Sequence, residues 1–244
     1  NNIMIESTIP RKYKPLKKLT VFPYQIDSAE RETIVKRIFA TVEDVKISLQ
    51  SAKGPDEKPK RIYTKGQESI VFEGEKILYH HDGMGEGTVD INTAKKMGEK
   101  WLKQIGYSPG KMHLQIINEP NDWQLIYYDK YEKMPVFDSY VKLKMTPLGI
   151  TEAEIHKVEL GESTGEKQAI YPIDQVFFYL ITVIGQQEEP VIIKDIMIGY
   201  ALENPKGTHL IAEKAIPFYQ IILKNGEIYY IDAYNNEIKT EIIE

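Results

Sequence analysis

The 244 residues include no cysteine. Disulfides, thiolate zinc sites and cysteine nucleophiles are therefore excluded. Long apolar runs are missing too. The longest, VFFYLITVI from Val176 to Ile184, falls well short of the roughly 20 residues that a membrane helix needs. Basic charge is not in excess: 31 Lys and Arg against 36 Asp and Glu leave a formal net charge of −5. That balance argues against a nucleic-acid partner, whose phosphates select for positive surfaces. The one local basic run is Arg11, Lys12, Lys14, Lys17 and Lys18, a composition suited to lie near anionic lipid headgroups. The chain begins with Asn1 and not with methionine, so the expectation is a fragment from which a leader or membrane anchor has been removed.

What is present has the balance of an ordinary globular protein, with 42% hydrophobic and 27% charged residues. The length favours two domains or a set of repeated units. Three segments carry helical periodicity. In DSAERETIVKRIFA, Asp27 to Ala40, the spacing of Asp27 and Glu30 is that of a capping box, and Ile34, Val35, Ile38 and Phe39 share one face. In DINTAKKMGEKWLKQIG, Ala94, Met97, Trp101, Leu102 and Ile105 repeat at helical spacing, Gly106 suits a C-terminal cap, and Pro109 stops continuation. In YPIDQVFFYLITVIG, Pro172 fits an early helical position, with Val176, Phe177, Leu180, Ile181 and Ile184 as the buried face.

Strand-like sequence follows each helix. KMHLQIIN, WQLIYYDKY, PVFDSYVKLKM and TEAEIHKVEL come after the second helix, and VIIKDIMIGYAL, THLIAEK, PFYQIILK and EIYYIDAY after the third. Residues 43–82 are also strand-rich, with a hairpin expected at Glu73-Gly74-Glu75 and another at Asn225-Gly226. A repeat is visible: KYEKMPVFDSYVKLKMTPLGI and LIAEKAIPFYQIILKNGEIYY each place a proline, Pro135 or Pro217, before an aromatic residue and a long alternating strand. These prolines are expected at strand starts, where a missing N–H does no harm. The fold class expected is α+β, built of repeated units in which one helix packs on an antiparallel meander. The division expected is 1–88 for an N-terminal α+β domain, 89–165 for a central helix-plus-sheet unit and 166–244 for a C-terminal one.

One stretch invites a chemical reading. HHDGMGEGTVD, His80 to Asp90, packs two histidines, three glycines and three acids into eleven residues. Adjacent histidines on a strand point to opposite faces, whereas metal sites use i, i+2 spacing on strands or i, i+4 on helices. GMGEG matches neither a Walker loop nor a dinucleotide fingerprint. The favoured reading is a joint: a strand ends, glycines bend the chain, and Asp90 or Asn92 caps the next helix. His113, His156 and His209 each stand alone on an expected strand. DAYNNE, Asp232 to Glu237, has Tyr234 at a ligand position of a calcium loop and lacks its glycine, so a reverse turn explains it better. Glu152 and Glu154 alternate on one strand face, which offers a carboxylate pair or, more simply, a solvated face. Of sixteen tyrosines, Tyr127, Tyr128, Tyr131, Tyr140, Tyr200, Tyr219, Tyr229 and Tyr230 fall on strands. Sheet packing accounts for most of them, and a tyrosine-rich face that binds another protein is the alternative. No catalytic residue, cofactor or metal is expected.

YYDKYEKMPVFDSYVKLKMTPLG resembles the strand pattern of PepSY-type domains, in which an aromatic strand leads to PVF and then a long strand. The third helix, followed by VIIKDIMIGYALE and IPFYQIILKNGEIYYIDAYNNEI, is similar more narrowly to the YycI (WalI) family, whose relative YycH shares the fold. The residues that carry this are Gly199-Tyr200 and the closing hairpin ending YYIDAY. The resemblance covers residues 90–244 well and the N-terminal third loosely. It implies a protein of low-GC Gram-positive bacteria with one N-terminal membrane helix and its soluble part outside the membrane. It further implies action with a YycH-like protein on the sensor histidine kinase YycG (WalK) of the cell-wall-homeostasis two-component system YycFG (WalRK), without catalysis. The interface residues are unknown, and a homodimer stays open. The alternative is a PepSY-like inhibitor or chaperone module for a secreted peptidase; a small-ligand sensor with a pocket between the repeats is a third reading.

Overall fold

The structure, a computed structural model, describes residues 3–5, 14–54, 57–119, 122–185, 190–203 and 212–239. Arg11 and Lys12 of the basic run, His209, and most of the expected strand THLIAEK lie outside the described residues. The chain divides into two compact units interleaved along the sequence. One gathers residues 1–22, 131–137 and 159–244; the other gathers 23–130 and 138–158. For convenience these are the C-terminal and N-terminal units.

The N-terminal unit holds two helices, α1 (Ser28–Phe39) and α2 (Ile91–Ile105). Both start where the sequence expects. Asp27 accepts from the Glu30 backbone N–H at 2.8 Å, the first half of the capping box. The Glu30 carboxylate does not reach back to Asp27; it accepts from the Tyr24 hydroxyl at 2.6 and 2.7 Å. Asp90 caps α2 by accepting from Asn92 and Thr93, and Gly106 ends it at φ 97°, a left-handed conformation that glycine adopts without Cβ strain.

The strands of this unit are β3 (Lys46–Gln50), β4 (Lys60–Lys65), β5 (Glu68–Glu73), β6 (Lys76–His81), β7 (His113–Glu119), β8 (Asp122–Tyr131), β9 (Met134–Thr146) and β10 (Gly149–His156). Their order is β7-β8-β9-β10-β6-β5-β4-β3. The expected hairpin at Gly74 joins β5 to β6, with Glu73 opposite Lys76 and Gly74 at φ 59°. Alternation sends Tyr63, Ile70, Phe72, Ile77, Tyr79, Leu125, Tyr127, Val141, Leu143, Ala153 and Ile155 to one face, where they form a single core with Ile34, Ile38, Ala94, Trp101, Leu102 and Ile105 of the helices. Fully burying one of the Ile, Leu, Val or Phe side chains among them stabilises the fold by about 1.5–3 kcal/mol. Gly98, inside α2, is buried, and the close packing favours glycine there: a Cβ would stand 3.0 Å from the Tyr127 hydroxyl oxygen.

The C-terminal unit contains α3 (Ile173–Ile184), β1 (Ile3–Ile5), β2 (Leu16–Pro23), β11 (Val158–Gln168), β12 (Val191–Leu202), β13 (Glu213–Leu223) and β14 (Ile228–Asp232). Its sheet order is β11-β2-β13-β12, with β14 also on β13, β1 parallel to β12, and the first residues of β9 parallel to β12 at Tyr200–Val136. Helix α3 buries Ile173, Val176 and Leu180 against Ile193, Ile198, Tyr219, Ile221 and Ile231. Of the other expected face residues, Phe177, Ile181 and Ile184 are only half-buried. Pro172 is the residue before the first helical turn, without a side-chain cap, and not a position inside it.

The repeat is present as a helix leading into a meander: α2 leads into β7-β8-β9-β10, and α3 into β12-β13-β14. Its proline rule needs correcting. Pro135 is the second residue of β9, but Pro217 is the fifth of β13, opposite Tyr200. It is tolerated because β13 changes partner there: residues 213–215 pair with β2 and residues 218–222 with β14. The Pro217 carbonyl accepts from Ala233, and since a strand residue's N–H and C=O point the same way, the missing N–H faces the gap between those partners.

Candidate interaction surface

HHDGMGEGTVD is the connection from β6 to α2. His80 and His81 close the strand, Gly83, Gly85 and Gly87 have φ of 84°, 65° and 135°, and Asp90 caps the helix. His80 Nε2 lies 2.8 Å from Asp82 Oδ1 and His81 Nδ1 lies 2.6 Å from the Asp82 carbonyl, so neither ring is aimed at a common point. Among the described residues no three His, Asp or Glu side chains converge as a metal site would require. DAYNNE is a turn held by Asp232, which accepts from the Tyr234 and Asn235 backbones and the Asn235 side chain.

Two serine patterns of chemical interest also have structural explanations. Gly161 to Gly165 has the G-x-S-x-G spacing of a nucleophile elbow, but it lies inside β11 and not on a strand-to-helix turn; the Ser163 N–H donates to the Tyr131 hydroxyl at 3.1 Å. Gly161 itself leaves room for Phe22 and the Thr20 carbonyl. Ser108 to Lys111 has S-x-x-K spacing and forms a single exposed 3-10 turn, in which Lys111 N–H donates to the Ser108 carbonyl.

The strand tyrosines are mostly packing residues. Tyr127, Tyr128, Tyr200, Tyr219 and Tyr230 are buried, so they do not make an open binding face. Their hydroxyls find internal partners where the fold offers one: Tyr200 donates to the Lys17 carbonyl, Tyr219 to the Tyr171 carbonyl, and Tyr230 accepts from Gln220. Burial, with Tyr234 and Glu132 nearby, pushes Tyr200 up to about 12.

The most organised polar surface is the face of the N-terminal sheet turned away from α1 and α2. Alternation brings Tyr140, Lys142 and Lys144 of β9, Glu152, Glu154 and His156 of β10, and Lys76, Leu78 and His80 of β6 onto that face. Glu154 sits at its centre. The Tyr140 hydroxyl donates to it at 2.5 Å, and Lys142 and Lys76 each stand 3.5 Å from its oxygens. Burial by itself would raise the Glu154 carboxyl; the Tyr140 hydrogen bond and the two lysines outweigh that and hold it below its ordinary value. Burial first, and Glu154 second, push the Tyr140 phenol well above its usual range. His156 lies between Glu75, at 3.6 Å, and the Asp138 carbonyl, at 2.6 Å. The expected alternation of Glu152 and Glu154 is present, but the two carboxylates differ: Glu152 is exposed, while Glu154 is half-buried and tied to Tyr140 and two lysines. Chemically this is a charge-balanced surface with fixed donors and acceptors, of the kind that gives orientation to a protein contact.

No family model matches the chain, and no curated protein matches it. Solved structures do. An uncharacterized protein from Eubacterium rectale superposes with a TM-score of 0.60 at 12% identity, over 93% of this chain and 86% of that one. YycH from Bacillus subtilis superposes with a TM-score of 0.52 at 15% identity, over 89% of this chain and 53% of YycH. The C-terminal domain of Bacillus megaterium YpeB is also similar, with a TM-score of 0.48 at 9% identity over 88% of this chain and 96% of that domain. The fold is therefore that of YycH: α+β, three helices with extensive, mostly antiparallel pairing.

Proposed function

We propose that this protein is a non-enzymatic, extracytoplasmic regulator, tethered to the membrane by an N-terminal helix, that modulates the sensor histidine kinase of a cell-wall two-component system together with a YycH-like partner. The observation that carries the reading is the shared fold with YycH across 89% of this chain, joined to the YycI-like sequence features at Gly199-Tyr200 and the closing hairpin. No described helix is long and apolar enough to cross a membrane, so the tether comes from the resemblance. Regulation of this kind requires different affinities for two kinase states, since equal binding shifts nothing. The charge-balanced face around Glu154 is the first surface to test for that contact.

The test is recovery of the full-length native protein, tagged at its C-terminus, from detergent-solubilised membranes of its own host, followed by a kinase autophosphorylation assay with the purified components. Recovery of a sensor kinase with a second protein of YycH fold, and a changed autophosphorylation rate on adding the regulator, supports the reading. A secreted peptidase recovered in their place and inhibited on addition overturns it in favour of the PepSY-like inhibitor.

A further inference from the structure

The N-terminal sheet ends at β3, which pairs with β4 and, among the described residues, with nothing else. All five of its residues, Lys46-Ile47-Ser48-Leu49-Gln50, are exposed. Such an edge presents a row of unused N–H and C=O groups, and proteins usually blunt it with proline, a bulge, a covering element or charged side chains, of which β3 has one, Lys46. The β3–β4 register runs without a break from Lys46–Thr64 to Gln50–Lys60, and no proline interrupts β3. Instead it carries two large apolar side chains, Ile47 at 59% and Leu49 at 71% exposure.

Those two side chains lie on the helix-covered face, at the ends of rows that begin in the core. One row is apolar throughout and crosses the sheet through Ala153, Tyr79, Ile70, Tyr63 and Ile47; the other runs through Ile155, Ile77 and Phe72 and reaches Leu49 across Arg61. Among the described residues, both rows stop at solvent without a closing residue. The geometry points to a second copy of this chain as the occupant, through antiparallel pairing of β3 with β3 about a two-fold axis at Ser48. In that register Ile47 faces the partner's Leu49, so the two exposed apolar side chains of each copy cover those of the other. Lys46 faces the partner's Gln50, so no like charges stand opposite one another. The register works whichever set of β3 groups points outward, because a two-fold axis at Ser48 passes through either a hydrogen-bonded or a non-hydrogen-bonded pair. The interface is isologous and closes on itself, so it yields a dimer and not a fibre. A five-residue edge is smaller than a standard protein interface, so the dimer is a weak one that forms as concentration rises.

The absence of cysteine makes the register directly readable. In the full chain, Ser48→Cys places the two thiols opposite each other on the axis, within reach of a disulfide. Mild oxidation is expected to link Ser48→Cys at least about tenfold faster than Glu166→Cys, an exposed site on β11, because pairing raises the effective thiol concentration. Lys46→Cys and Gln50→Cys are expected to link to each other when mixed and not to themselves. The unmodified chain is expected to show a concentration-dependent rise in mass by sedimentation equilibrium, and the double variant Ile47→Lys/Leu49→Lys to stay monomeric with an unchanged melting curve. A mass that stays monomeric at every concentration, linkage of Ser48→Cys no faster than Glu166→Cys, or a dimer that survives the double lysine variant, overturns the proposal. None of these readouts involves a kinase, so they stand or fall apart from the proposed function.

Discussion

The two helix-led meanders are built on helices of opposite character. Helix α2 is amphipathic and finished at both ends: Lys96, Glu99, Lys100 and Lys103 face solvent, Asp90 caps the start and Gly106 the end. Helix α3 has no charged residue after Asp174 and no side-chain cap, and it leaves Phe178 at 75% and Val183 at 49% exposure. The contrast teaches where each helix draws its stability. Polar groups at its termini support α2 in addition to its packing, while α3 depends on the contacts of Ile173, Val176 and Leu180 with its sheet.

The largest effects should come from emptying the two cores in turn. Leu102→Ala and Leu180→Ala each remove a fully buried side chain and are expected to cost about 2–5 kcal/mol. Hydrogen exchange separates the outcomes: Leu102→Ala should release amides of α1, α2 and their strands, and Leu180→Ala those of α3 and β12 to β14. Loss of protection in both sets from either variant would break the comparison. Gly199→Ala should come next. A Cβ there would stand 2.6 Å from both the Pro135 carbonyl and the Phe137 ring, so urea titration should show a loss of about 1–3 kcal/mol from overpacking.

A smaller effect is expected at the helix start. Asp90→Ala should lower the urea midpoint by removing the α2 cap, and α3, which has no such cap to lose, marks the difference. The smallest effect is expected from Glu154→Gln, and it is read from how stability changes with pH. The folded state holds Glu154 below its ordinary value, so its contribution is full above the free carboxyl value of about 4.3 and fades as pH falls below it. Between about pH 5 and pH 3 the parent should lose more stability than Glu154→Gln. Equal acid slopes in urea titrations would show that the Tyr140 and lysine contacts add nothing.

Local chemistry explains which features were legible. The Asp27 and Asp90 starts, the Gly106 stop and the hairpin at Asn225-Gly226 all depend on groups within a few residues of one another, and all four are present. In α3 an almost continuous apolar run hides which side is buried, so Phe177, Ile181 and Ile184 read as core while the sheet covers them only in part. The tyrosines show the same limit: alternation marks a strand, but not whether a neighbour will bury the ring.

The sequence by itself determined the α+β class, the three helices, most of the strands and the face each residue takes on its strand, because periodicity and capping act over a few residues. Only the tertiary structure decided that β10 would lie beside β6, that residues 131–137 would join 159–244, that Gly199 would stand against Phe137, and that β3, among the described residues, would pair on one side alone. The physical reason is that backbone hydrogen bonds between strands are the same for every residue except proline. Strand order is therefore chosen by which faces pack together across the whole chain, and no short stretch of sequence contains that choice.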